Sequence, residues 1–150
     1  MDFLDYLILA DNTADVYNTS AFECETLSIP EYIYDNGQKY KVSSFALDRV
    51  DNKHPKISKI QIPSSIELLS FNENPYIQEV HYNGNIDVIL GFENCCSLER
   101  VFIHGSVNAI GLDAFRNCYN LIEIIIDNDC EIEIGCRAFA NCRKLHTLLV

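Results

Sequence analysis

The chain has 150 residues, 48% of them hydrophobic, which is enough for one domain with a sizeable buried core. Its formal net charge of −11 argues against nucleic acid and anionic membrane surfaces as partners, because both demand a basic face. No apolar run reaches membrane-spanning length, and residues 1–10, interrupted by Asp2 and Asp5 and lacking a basic start, make a poor secretory signal.

Residues 1–42 carry no repeat. Residues 6–9 and 14–17 flank Asp11-Asn12-Thr13, which predicts a β-hairpin. Leu27-Ser28-Ile29-Pro30 ends in Pro, as the later Gln61-Ile62-Pro63 does. Tyr32-Ile33-Tyr34 and Tyr40-Lys41-Val42 flank Asp35-Asn36-Gly37, which predicts a second hairpin turning at Asn-Gly.

From residue 43 a period takes over, and it is clearest at the end. Ile110-Gly111, Ala114-Phe115, Cys118, Leu121, Ile124 and Ile126 recur as Ile134-Gly135, Ala138-Phe139, Cys142, Leu145, Leu148 and Val150. A fixed period of this length is the signature of a stacked solenoid. Leu-x-x-Ile-x-Ile suits a short strand whose alternate side chains enter a core. Ala-Phe-x-x-Cys-x-x-Leu has three- and four-residue spacing and predicts a short helical piece. Earlier copies are degenerate. The third has Phe92, Cys95, Leu98, Val101 and Ile103, and the second has Phe71, Asn74, Ile77, Val80 and Tyr82. In the first, Phe45-Ala46 stands for Ile-Gly and Arg49-Val50 for Ala-Phe, with Ile57, Ile60 and Ile62 in the strand.

The pattern Ile-Gly-x-x-Ala-Phe-x-x-Cys-x-x-Leu-x-x-Ile-x-Ile resembles the leucine-rich repeat of the BspA-like family. The resemblance implies a right-handed leucine-rich repeat solenoid of α/β type. Each coil would hold one parallel strand and a short helical or irregular convex segment. Residues 43–150 would form one continuous domain of about five repeats, and residues 1–42 an N-terminal β-hairpin cap. A cap has a physical purpose, because the first coil of a solenoid otherwise exposes its apolar face. Many members of the family are adhesion or host-contact proteins of bacteria and protist parasites. The resemblance therefore implies a protein-binding role in adhesion or cell-surface recognition.

Stacking such units aligns like positions in columns. One inward column is expected through Val50, Phe71, Phe92, Phe115 and Phe139, and another through Asn74, Cys95, Cys118 and Cys142. The cysteines, each preceded by an Asn, are read as buried thiols acting as small hydrophobes. Neighbouring thiols in such a column point the same way, which disfavours disulfides. The remaining Cys24, Cys96, Cys130 and Cys136 suit a reducing compartment better than an oxidising one.

The outward columns decide function. The first is Lys59, Glu79, Arg100, Glu123 and Thr147, whose alternating signs can pair across a parallel sheet and fix its register. The second is Gln61, His81, Phe102, Ile125 and Leu149, which turns apolar along the stack. The third is Pro63, Asn83, His104 and Asp127. A protein-contact surface is therefore expected at Phe102, Ile125 and Leu149, rimmed by Arg100, Glu123, His104 and Asp127. The sequence stops at Val150 within a strand, so this end is expected to be masked, by a second copy of the chain or by residues beyond it.

The search for chemistry returns no catalytic motif, and neither enzyme activity nor a cofactor is expected. Histidines 54, 81, 104 and 146 fall at no zinc spacing, and there is no Cys-x-x-Cys. Asp127, Asp129, Glu131 and Glu133 lack the glycine and spacing of a calcium loop and are read as solvated charge. Two functions remain: a binding module that uses the sheet face, and an intracellular structural scaffold with no adhesion role. Localisation is open, since cysteine usage points inward and the family resemblance points to the cell surface.

Overall fold

The computed structural model describes residues 5–17, 25–47, 57–127 and 131–149, the side chain of Leu149 excepted. The described residues form fourteen strands and no helix. In chain order these are β1 (Asp5–Ile8), β2 (Thr13–Tyr17), β3 (Thr26–Ser28), β4 (Tyr32–Asp35), β5 (Gln38–Ala46), β6 (Lys59–Pro63) and β7 (Leu68–Ser70). There follow β8 (Glu79–Asn83), β9 (Ile86–Ile89), β10 (Arg100–His104), β11 (Val107–Ile110), β12 (Glu123–Ile126), β13 (Glu133–Ile134) and β14 (Thr147–Leu149).

The spine is a six-stranded parallel sheet in the order β14-β12-β10-β8-β6-β3. Its inward side chains are apolar at every rung: Ile60 and Ile62, Val80 and Tyr82, Val101 and Ile103, and Ile124 and Ile126 are all buried. This is the period-two alternation read from the sequence. The sheet begins earlier than the clear repeats, because β3 pairs in parallel with β6. Both expected hairpins form: β1 pairs antiparallel with β2, and β4 with β5 around Asn36 and Gly37. β5 also takes β2 and β7 as parallel neighbours.

Two expectations are corrected. The coils that contain β8, β10 and β12 carry a second short strand each, and β9, β11 and β13 form a three-stranded parallel sheet of their own. The stretch expected to be helical is a run of turns. Asn94, Asn117 and Asn141 adopt φ of 63°, 61° and 65°, and Asp113 and Arg137 adopt 53° and 55°. A left-handed residue ends a right-handed helix. The backbone then bonds between coils instead of along one. Asn94 N donates to Arg116 O at 2.8 Å, Phe115 N to Ala138 O at 2.9 Å and Asn117 N to Ala140 O at 2.8 Å. Within the coil, Cys118 N donates to Phe115 O and Leu121 N to Cys118 O, both at 3.1 Å. Successive three-residue turns thus produce the three-residue spacing that reads as a helix.

The core is built from the aligned columns. The rings of Phe71, Phe92, Phe115 and Phe139 stack with centroids 5.7, 5.5 and 5.8 Å apart. Phe45 heads this column, 5.6 Å from Phe71; Val50, expected there, lies outside the described residues. The thiols do more than fill space. Cys95, Cys118 and Cys142 donate from Sγ to the carbonyls of Phe71, Phe92 and Phe115, each at 3.0 Å. Burial pushes the Cys118 thiol far up, so it stays protonated and keeps donating. Asn74, the degenerate member, is buried and turns its Oδ1 to Tyr76 N and Ile77 N, at 3.0 and 3.3 Å. All described cysteines are free thiols.

Candidate functional site

The outer side of the six-stranded sheet carries the three expected columns in register. Lys59, Glu79, Arg100, Glu123 and Thr147 are successive partners along the first. Lys59 Nζ lies 2.6 Å from Glu79 Oε1, and Arg100 Nε 3.1 Å from Glu123 Oε1. The alternating signs therefore pair two by two. The hydrogen bonds from Lys59 and then His81 hold the Glu79 carboxyl below the usual carboxylate range.

Gln61, His81, Phe102, Ile125 and Leu149 are likewise partners along the second column. Phe102 and Ile125 are half-buried, not exposed. His81 accounts for part of this, since its ring lies over Phe102 with centroids 4.6 Å apart and planes 18° apart. For Leu149 the described backbone places it beside Ile125. In the third column His104 follows Asn83, and His104 Nδ1 reaches Asp127 Oδ2 at 2.8 Å. The structure thus brings Arg100, Phe102, His104, Glu123, Ile125 and Asp127 onto one face.

Sequence columns did not show how the second and third columns interlock. His81 Nε2 lies 2.7 Å from Glu79 Oε1, and His81 Nδ1 lies 3.0 Å from His104 Nε2. With the Lys59 and Asp127 contacts, five side chains form one chain of polar contacts across β6, β8, β10 and the end of β12. The signal lay in the offset: His81 and His104 belong to neighbouring strands one outward position apart, within reach of a diagonal contact. In the acidic run, Glu131 and Glu133 are exposed and Asp129 lies outside the described residues. Among the described residues no group of three or more His, Cys, Asp or Glu side chains is arranged to hold a metal ion.

A cluster of exposed large apolar side chains lies elsewhere, on the flank. Leu68 is 69% exposed, Val88 45% and Leu90 41%, though Tyr34, Leu7 and Ile134 elsewhere on the molecule are also well exposed. Leu68, Val88 and Leu90 line a groove of about 280 Å³ between β7 and β9, floored by Phe45, Leu69 and Tyr82. Among the described residues β7 pairs only with β5, and β9 is the edge of its sheet, so both sides of the groove are strand edges. The groove closes where Phe71 N donates to Gly91 O at 2.7 Å. Gly91 is required there: its φ is 89°, and a Cβ would run into Leu69 O. The run Ile86-Asp87-Val88-Ile89-Leu90 holds more apolar residues than one inward side needs, and that excess was the readable sign.

A family model for the BspA type leucine rich repeat region matches residues 51–150, in six copies. The chain belongs to the BspA-type leucine-rich repeat family. Two crystal structures share the BspA-type chain's fold. One is a leucine-rich repeat protein from Bacteroides ovatus, with TM-score 0.71 and 21% identity over 100% of this chain and 40% of that one. The other is a leucine rich cell surface protein from Faecalibacterium prausnitzii, with TM-score 0.53 and 20% identity over 99% of this chain and 53% of that one. The BspA-type chain thus spans about half or less of their length. At this identity the likeness establishes fold alone. No curated protein matches the chain. Among the described residues no helix is long and apolar enough to cross a membrane.

Proposed function

We propose that this BspA-type chain is a non-catalytic protein-binding module and that its partner docks on the outer face of the six-stranded sheet. The observation that carries the reading is the placement of Phe102 and Ile125, adjacent on β10 and β12 and only half-buried. Around them stand Arg100, Glu123, His104 and Asp127, fixed by ion pairs and hydrogen bonds. An apolar centre with an ordered polar rim is the usual anatomy of a contact surface. The backbone of β14 continues the register, with Leu149 paired to Ile125. A role in adhesion or surface recognition is supported by the cell surface relative from Faecalibacterium prausnitzii. The hairpins of residues 1–42 cap the solenoid in this reading.

Phe102→Asp combined with Ile125→Asp tests the site. The doubly substituted chain should fold and lose partner capture in a pull-down; capture unchanged in a folded variant makes the face inert. Surface labelling of intact cells separates adhesion from an intracellular scaffold, which would stay unlabelled.

The greater exposure of Leu68, Val88 and Leu90 favours a second reading, in which an apolar segment of the partner enters the flank groove. Leu68→Asp with Val88→Asp would then abolish capture while the sheet-face variant kept it. Self-association through the last described coil belongs to the same proposal. Phe139, Cys142 and Leu145 are only partly buried, whereas Phe115, Cys118 and Leu121 are fully buried. Light scattering that reports a monomer at every concentration removes it.

A further inference from the structure

The contacts of His81 and His104 allow their protons to be counted. His81 Nε2 faces Glu79 Oε1 at 2.7 Å and His104 Nδ1 faces Asp127 Oδ2 at 2.8 Å. A carboxylate only accepts, so each of these outer nitrogens must carry a hydrogen. A neutral imidazole has one hydrogen. With both rings neutral, the inner nitrogens, His81 Nδ1 and His104 Nε2, would meet as two lone pairs at 3.0 Å. One more proton on either inner nitrogen turns that repulsion into an N–H···N hydrogen bond. A second would set two N–H groups head to head.

From this count we infer that His81 and His104 bind one shared proton, and that its release breaks the His81–His104 contact and rearranges the sheet face around Phe102. Phe102 enters because the His81 ring stacks on it at 4.6 Å, while the His104 ring lies parallel to it at 6.4 Å. The two His rings are themselves stacked at 5.3 Å. The neighbours that fix the local charge are few. β6 supplies Lys59, bonded to the same Glu79 oxygen, and the neutral Gln61. β8 supplies Glu79, and Asp127 follows β12. Arg100 and Glu123 neutralise one another in the adjacent column. From β14, Thr147 brings no charge, and His146 Nδ1 is turned to Thr147 Oγ1 at 2.7 Å.

Two carboxylates thus bracket one cationic imidazole pair, and Lys59 balances the far side of Glu79. The face changes charge by one unit as the shared proton leaves. Coupled rings of this kind release protons in two macroscopic steps that belong to the pair. The inference stands on the ring geometry alone and does not depend on the binding reading.

The test is ¹⁵N imidazole NMR on the intact chain from about pH 4 to pH 9, spanning the imidazole range. A plateau is expected with His81 Nε2 and His104 Nδ1 both protonated and a third hydrogen shared between the inner nitrogens. Both rings, together with the Phe102 ring signals, should then change in the same step as pH rises. In His104→Phe, which keeps an aromatic ring and removes the second imidazole, His81 should titrate in a single independent step. Two independent single-step titrations in the unsubstituted chain, or hydrogens on the inner instead of the outer nitrogens, would overturn the inference. Both of these readouts come from the unsubstituted chain, so they hold even if the variant does not fold.

Discussion

On the inner side of the strands, Val80, Val101 and Ile124 sit in a row, each fully buried. On the outer side of the same strands and in the same register, the row reads Glu79, Arg100, Glu123. Inside the coils like rests on like, and phenylalanine follows phenylalanine at 5.5–5.8 Å along the stack. Outside, neighbours differ in sign or polarity. A dry column is satisfied by repetition, because identical shapes stack without voids. An exposed charged column is destabilised by repetition, because like charges opposite each other repel. One register therefore serves two opposite rules, and the inner rule carries most of the stability.

The largest break in this contrast comes from the ring column. Phe115→Ala removes a fully buried ring between Phe92 and Phe139 and should cost about 3–5 kcal/mol in denaturant unfolding. The asparagine ladder is next. Asn117 Nδ2 donates to Asn94 Oδ1, and Asn141 Nδ2 to Asn117 Oδ1, both at 2.7 Å. Asn117→Ala loses both bonds and forces an unfavourable φ, a loss of about 2–3 kcal/mol, whereas Asn117→Gly keeps the backbone and should lose less. Equal losses would mean that the backbone conformation contributes nothing.

Alkaline titration probes the buried thiol. Burial raises the Cys118 thiol in the folded chain above its ordinary value of 9.0. The unfolded chain therefore releases that proton first, and the contribution, complete below pH 9.0, declines as pH rises past it. Unfolding free energy should fall above that pH, and Cys118→Ala should flatten the fall. Exposed Cys96 and Cys136 should be alkylated while Cys118 is not. The smallest effect belongs to the outer charges. A double-mutant cycle on Lys59 and Glu79 should give about 0.2–1 kcal/mol, shrinking with salt. A coupling as large as the Phe115 effect would erase the contrast between the two sides.

What could be read from the chain follows the same division. The inward columns and the outward register were legible, because a repeat states its own alignment: Phe92, Phe115 and Phe139 stack as their spacing requires. The turns at Asn94, Asn117 and Asn141 were misread as helix, because chained three-residue turns share a helix's spacing. β9 and β11 are four residues each, and β13 is two, too short for alternation to declare itself. Phe102 was expected bare. The ring that covers it comes from the neighbouring strand, and column reading treats each outward residue as if its neighbours were inert. Phe45 was misassigned because its coil replaces the motif around it; its ring nonetheless joins the column.

The Asn and Phe contacts each join a position to its own equivalent one coil away, and each Cys thiol bonds the Phe carbonyl of the coil before it. Cutting out one full turn, or copying one, brings matching groups face to face at the seam. The protein can therefore grow or shrink by whole turns while the stacked Phe and Asn positions keep the kind of neighbour they already had, so the core sets no fixed length.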